Sequence, residues 1–226
     1  MTDDRRYLDY TRSWAEKHAY GIPGGVTTRH ANNHHCTTTP SGPVACGSRR
    51  AGLWYCDDRF LPGKIVSPNG KPVLWSRGNG WVGAAHVKTL KALPANQQNV
   101  AEYSSTLTQL VTVLRPIQRS DGFWTVNLGD PQHLPGPETS GTAFFTYATA
   151  YAIKAGLVAA TSYQAVAARA WNGMVATAVH PGGFLGYVQK VGDGPESSQP
   201  ITYDSTADFG VGACLRAGSE LAGLAG

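Results

Sequence analysis

The chain has 226 residues, enough for one domain with a sizeable core. Charged residues make up 15% and aromatics 10%, which excludes a disordered composition, and no run approaches the roughly 18 apolar residues needed to span a bilayer. The formal charge is +4, but basic residues pair only at Arg5-Arg6 and Arg49-Arg50, so the basic stripe of a nucleic-acid binder is missing. No nucleic-acid partner and no membrane partner are expected.

Residues 3–18 predict a helix, with Tyr7, Leu8, Tyr10, Thr11, Trp14 and Ala15 on one face and acids in its first turn. Such a start lacks the apolar region of an export signal, which points to a cytoplasmic location. Gly21, Pro23, Gly24 and Gly25 end the helix. Residues 26–50 are polar, then rich in Thr, Pro, Gly and Ser, without periodicity, and predict an exposed loop. His30, His34, His35 and Cys36 sit in it, but adjacent His residues point apart and no second ligand cluster exists, so no metal site is predicted. The four cysteines, at 36, 46, 56 and 214, form no CxxC pair and are read as free thiols. No cofactor is implied.

From Gly52 to Pro72 short extended pieces alternate with turns. Asp57-Asp58 reads as a charged turn and Ser67-Pro68-Asn69-Gly70 is a strong turn signal. Val73-Leu74-Trp75-Ser76-Arg77-Gly78-Asn79-Gly80-Trp81-Val82 then sets two indoles, a guanidinium and a carboxamide within seven residues. Its glycines predict a rigid loop that passes close to a ligand and feeds a helix N-terminus. Trp faces suit the apolar faces of sugars; the plain alternative is an aromatic-rich helix start whose Trp residues are only core.

Helices follow at 81–93, 99–118, 140–156, 162–177 and 205–223. Pro116 predicts fraying at the end of the second, Gly156 a stop for the third, and Thr161 or Ser162 a cap for the fourth. The last carries Phe209, Val211, Cys214, Leu215 and Leu221 as its apolar residues. A weak repeat shows in the connections. Asp121-Gly122-Phe123-Trp124 follows one helix pair and Gly182-Gly183-Phe184-Leu185 the next, each leading into a short strand-like piece. A repeated unit of two helices, a glycine turn and a short hairpin suggests an α/α toroid, whose functional residues lie on loops at one end. His133 reads as a solvated loop side chain, and Thr139 or Ser140 as a helix cap.

Several strings, in order, resemble glycoside hydrolase family 105, the unsaturated rhamnogalacturonyl hydrolases, and the related family 88 of unsaturated glucuronyl hydrolases. They include Arg6-Tyr7-Leu8-Asp9-Tyr10, Gly52-Leu53-Trp54-Tyr55, Trp75-Ser76-Arg77-Gly78-Asn79-Gly80-Trp81, Glu138-Thr139-Ser140-Gly141, Gly186-Tyr187-Val188-Gln189 and Asp208-Phe209-Gly210-Val211-Gly212. The resemblance implies an all-α (α/α)6 barrel with short β-hairpins in its loops. It also implies release of a 4,5-unsaturated uronic acid from oligosaccharides made by pectin breakdown. An aspartic acid protonates the C4=C5 double bond, water adds at C5, and the hemiketal opens. The same resemblance assigns substrate binding to Arg77, Trp81 and Trp75.

The departures are as informative. The family's proton-donating aspartate belongs before Gly52, and the interval from Thr37 to Ala51 contains no Asp and no Glu. A second aspartate position falls near Asn32 and Asn33, which cannot exchange a proton near neutral pH. The catalytic residues are therefore unknown. Residues 1–226 read as a single incomplete domain with an irregular junction at 37–51. An incomplete ring exposes inner helix faces, which predicts self-association through them. Three readings follow: an unsaturated uronyl hydrolase, a catalytically dead remnant that still binds acidic sugar, or a helical interaction scaffold.

Overall fold

The computed structural model describes residues 49–50, 52–96 and 100–224. The predicted helix at 3–18 and the loop up to residue 48 lie outside the described residues. Strand β1 (Arg49–Arg50) pairs antiparallel with β2 (Leu53–Trp54), Arg49 opposite Trp54. Five α-helices follow among the described residues: α1 (Ser76–Ala92), α2 (Val100–Leu114), α3 (Thr139–Lys154), α4 (Ala160–Thr177) and α5 (Asp208–Ala222).

The helices alternate between two rows. α3 packs between α1 and α5 to form an inner row, while α2 and α4 cover α3 from outside. α3 is buried on every side from Thr139 to Ala150, which its uniform run of Ala, Thr and aromatic residues permits. Phe145 fits against Trp124 edge-on at 5.4 Å, and Phe144 sits in a second cluster with Leu107, Val111 and Met174. Each fully buried Phe of this kind contributes about 2–3 kcal/mol. The result is an incomplete (α/α)6 barrel with β-type pairings confined to the connections.

The inner helices run in one direction. Near their starts, Ser76 Oγ of α1 donates to Glu138 Oε2 at the head of α3, and the Arg77 guanidinium lies 4.9 Å from the Phe209 ring of α5. At their far ends Lys91, Lys154 and Glu220 form one charged cluster. The repeat is visible in hydrogen bonds. Arg119 N donates to Phe123 O and Gly122 N to Arg119 O; His180 N donates to Phe184 O and Gly183 N to His180 O. Gly122 and Gly183 hold matching left-handed φ angles of 93° and 83°.

Several expectations change. Helix α1 begins at Ser76, not at residue 81, so the glycines of the motif are helical. Packing overrides their poor helix propensity: a Cβ on Gly80 would lie 2.9 Å from Phe144 Cβ, so only glycine lets α1 approach α3 here. Neither Thr161 nor Ser162 caps α4, which starts after Ala159 without a side-chain cap. α2 ends at Leu114 and passes into a 3-10 turn, Arg115–Ile117, as Pro116 predicts. Gly156 does follow the end of α3 at φ 68°. Val211 and Leu215 are exposed, because α5 turns Gly210, Ala213 and Ala217 toward its neighbours instead. Among the described residues, no helix is long and apolar enough to cross a membrane.

Candidate functional site

The Trp75–Trp81 segment lies at the head of the inner row, and its side chains divide into two groups. The first group is turned into the protein. Arg77 is 4% exposed; its guanidinium donates to the carbonyls of Gln189 and Lys190. It is held between the rings of Trp75, at 4.5 Å, and Phe209, at 4.9 Å. Burial lowers the Arg77 pKa, and the nearby Glu138 charge opposes that shift. Trp75 Nε1 donates to Gln189 Oε1 at 2.8 Å. Asn79 is spent on backbone: its Oδ1 accepts from Trp54 N and its Nδ2 donates to the carbonyls of Trp54 and Trp75.

Gln189 and Glu138 are the hubs of this group, and both are fully buried. Gln189 Nε2 donates to the carbonyls of Pro195 and Ser197, which folds the 190–197 loop over the inner row. Glu138, not Thr139 or Ser140, caps α3. Its carboxylate accepts from Ser140 N, Ser140 Oγ, Gly141 N and Gln189 N. A carboxylate with this many donors and no exposure is committed to its place as the N-cap of α3. Thr139 Oγ1 is likewise committed, to Gly186 O at 2.8 Å.

The second group faces a concave cleft of about 780 Å³ between α1, α3 and α5. Trp81 lines it, its ring 4.3 Å from Phe144, and Phe209 forms part of the same wall. Ala84, Ala85, Thr89, Gly212 and Ala213 make a small-residue floor, and Lys88 and Arg216 supply two cations. Among the described residues no Asp or Glu lines the cleft. The described surface offers an aromatic wall and positive charge, which suits an anionic ligand with an apolar face. Trp75 and Arg77 do not line it. Arg77 stands one layer back, behind Phe209.

The loops around this end are fixed by local networks. Asp130 is buried and accepts from Ser67 Oγ at 2.7 Å and Asn69 Nδ2 at 2.8 Å, with Lys71 at 3.5 Å. These donors, Ser67 first, hold its carboxyl down to about 2. Asn127 Oδ1 accepts from Leu74 N and Gly129 N, so its Nδ2 faces His133 Nδ1 as donor. His133 is therefore an acceptor at Nδ1 and carries its proton on Nε2, 3.7 Å from Glu196. It is a packed, oriented side chain rather than a solvated one. Asp57 caps the 3-10 turn Asp58–Phe60 and pairs with Arg59, as a turn acid should, although it is buried. Burial, with Asp57 beside it, pushes the Cys56 thiol up to about 12, so it stays protonated and unreactive. Among the described residues no cluster of His, Cys, Asp and Glu could hold a metal ion.

A half-ring of paired helices with an aromatic, cationic cleft on its inner side is an incomplete α/α toroid. The comparisons agree: the Glycosyl Hydrolase Family 88 model matches residues 47–225, and the chain belongs to that family. An unsaturated 3S-rhamnoglycuronyl hydrolase from Alteromonas sp. (strain LOR) is 34% identical over 170 residues, covering 75% of this chain and 40% of the relative. A solved family 88 glycosyl hydrolase from Bacteroides vulgatus is 39% identical with TM-score 0.72, over 75% of this chain and 49% of that one. A solved protein described as a polysaccharide lyase is 40% identical with TM-score 0.72, over 77% and 50%. A possible family 105 member from Salmonella enterica is 25% identical with TM-score 0.62, over 77% and 45%. The chain thus spans about half the length of the solved relatives and two fifths of the curated one.

Lys88 and Arg216 were not among the residues singled out from sequence. They lie 128 positions apart in no motif, and only the packing of α1 and α5 around α3 brings them to one cleft.

Proposed function

We propose that this chain binds an unsaturated uronic-acid oligosaccharide in the concave cleft and, on its own, does not cleave it. The observation that carries the reading is the lining of the cleft: Trp81 and Phe209 as a stacking wall and, among the described residues, Lys88 and Arg216 as its charged groups with no acid beside them. A uronate presents a carboxylate and an apolar ring face, and the two halves of this lining answer both. Trp81 contacts the sugar directly. Trp75 and Arg77 act from behind, holding the 189–190 backbone and Phe209 in place.

The chemistry of an unsaturated uronyl hydrolase needs one carboxylic acid that first protonates the double bond and then serves as base. Glu138, the acid nearest the motif in the fold, is consumed by capping α3. Binding without turnover follows. The test is a Δ4,5-unsaturated galacturonyl-rhamnose disaccharide, with heat of binding and loss of double-bond absorbance recorded on the same sample. Heat without loss of absorbance supports the reading; loss of absorbance at an enzymatic rate, or no heat at all, refutes it.

A further inference from the structure

The two walls of the cleft are built on one pattern. α1 contributes Trp81, Ala84, Ala85 and Lys88 to the lining; α5 contributes Phe209, Gly212, Ala213 and Arg216. Each set reads aromatic, small, small, cation, at positions i, i+3, i+4 and i+7. That spacing puts the four side chains of a set on one helix face. The two helices run in the same direction, and their aromatic members meet at one depth, the Trp81 and Phe209 rings 6.3 Å apart. Seven residues of α-helix advance about 10 Å, so Lys88 and Arg216 share a second depth that far down the cleft. Side chains on both helices lean toward the N-terminus, which shifts the two depths together and preserves their separation.

Between the two depths the surface is low. Ala84, Ala85 and Ala213 carry one methyl each, and a Cβ on Gly212 would meet nothing within 4 Å. One turn beyond the cations the electrostatics change. Lys91 donates to Glu220 Oε2, and Lys154 lies 3.9 Å from Glu220 Oε1, so the cations at the foot of the cleft share an acid. Lys88 and Arg216 have no acid partner among the described residues. Their charge is left for a ligand.

A single uronic acid carries its carboxylate on the ring that would stack, and that ring is shorter than the separation of the depths. We propose that the cleft takes an acidic oligosaccharide of at least two residues, its acidic residue between Lys88 and Arg216 and the neighbouring ring on the Trp81–Phe209 wall. The low strip at Gly212 and Ala213 passes the linkage. The proposal rests on the sugar reading of the cleft and adds the length and orientation of the ligand.

Calorimetry of the 226-residue chain with saturated galacturonyl-rhamnose and with free galacturonate tests it. The disaccharide meets both depths and galacturonate only one, so the disaccharide should bind about tenfold more tightly. In Trp81→Ala that ratio should fall to about one. Gly212→Leu fills the strip between the depths and should also bring the ratio to about one, without a lower denaturation midpoint, because leucine is the better helix former. Arg216→Met should weaken both ligands alike and leave the ratio at about tenfold. Equal affinities for the two ligands in the wild type would overturn the proposal and leave the sugar reading standing. So would a tenfold ratio that survives both Trp81→Ala and Gly212→Leu. No heat with either ligand would overturn the sugar reading, and the proposal with it.

Discussion

Trp75 and Trp81 flank one short helical turn, yet they serve opposite sides of the molecule. Trp75 faces a closed network in which every polar group has a protein partner: its own Nε1 with Gln189, Arg77 with two carbonyls, Asn79 with the backbone of Trp54. Trp81 faces an open cleft whose two charged groups, Lys88 and Arg216, are both exposed. A polar, glycine-rich motif can serve to join elements of the fold as well as to line a cleft. Five of the seven residues from Trp75 to Trp81 are accounted for by joining β2, α1, α3 and the 189–197 loop. The cleft lining takes Trp81 from the motif, Lys88 two turns further along the same helix, and Phe209 and Arg216 from α5.

This division can be broken from the closed side first. Glu138→Ala removes the acceptor for three backbone N–H groups and two hydroxyls at a fully buried cap. It should cost about 3–5 kcal/mol, read as a lower denaturation midpoint. On the open side, Trp81→Ala should weaken uronate binding about tenfold, near 1.4 kcal/mol, as measured by calorimetry. Its effect on stability should be smaller than that of Glu138→Ala, because the ring is only half buried. Lys88→Met and Arg216→Met should each weaken binding by roughly two- to fivefold, and the loss should shrink with added salt because both groups are exposed.

A further expected effect is one of pH. In the folded protein Asp130 titrates near 2, below its ordinary value of 3.8, because Ser67 and Asn69 donate to its carboxylate. As pH falls, the unfolded chain takes up that proton first. The stabilisation is complete above about pH 4 and is lost as pH drops toward 2. Ser67→Ala should flatten that part of the stability–pH curve; an unchanged curve would mean that Asn69 and Lys71 suffice.

Much of the scaffold could be read in the chain. The helices near 99–118, 140–156 and 162–177 and the glycine-turn repeat depend on local periodicity and turn chemistry, and they stand within a few residues of their expected bounds. The start of α1 was not legible, because Gly78 and Gly80 read as loop until Phe144 is known to press against the helix. Glu138 did carry a signal, an acid immediately before a helix start, which is a common cap position. Arg77 carried none. Its partners lie 112 and 113 residues away and are backbone carbonyls, which no side-chain pattern announces. The exposed Val211 and Leu215 misled for a related reason: their spacing marks an apolar face, but not which part of that face is packed against a neighbour.

The central claim is that acidic sugar is held at Trp81 without chemistry, and titration of the Δ4,5-unsaturated disaccharide into wild type and Trp81→Ala tests it most directly. Saturable heat in the wild type, a tenfold weaker isotherm in the variant and unchanged double-bond absorbance in both are the predicted results. Steady loss of that absorbance in the wild type, or identical isotherms in the two proteins, would contradict it.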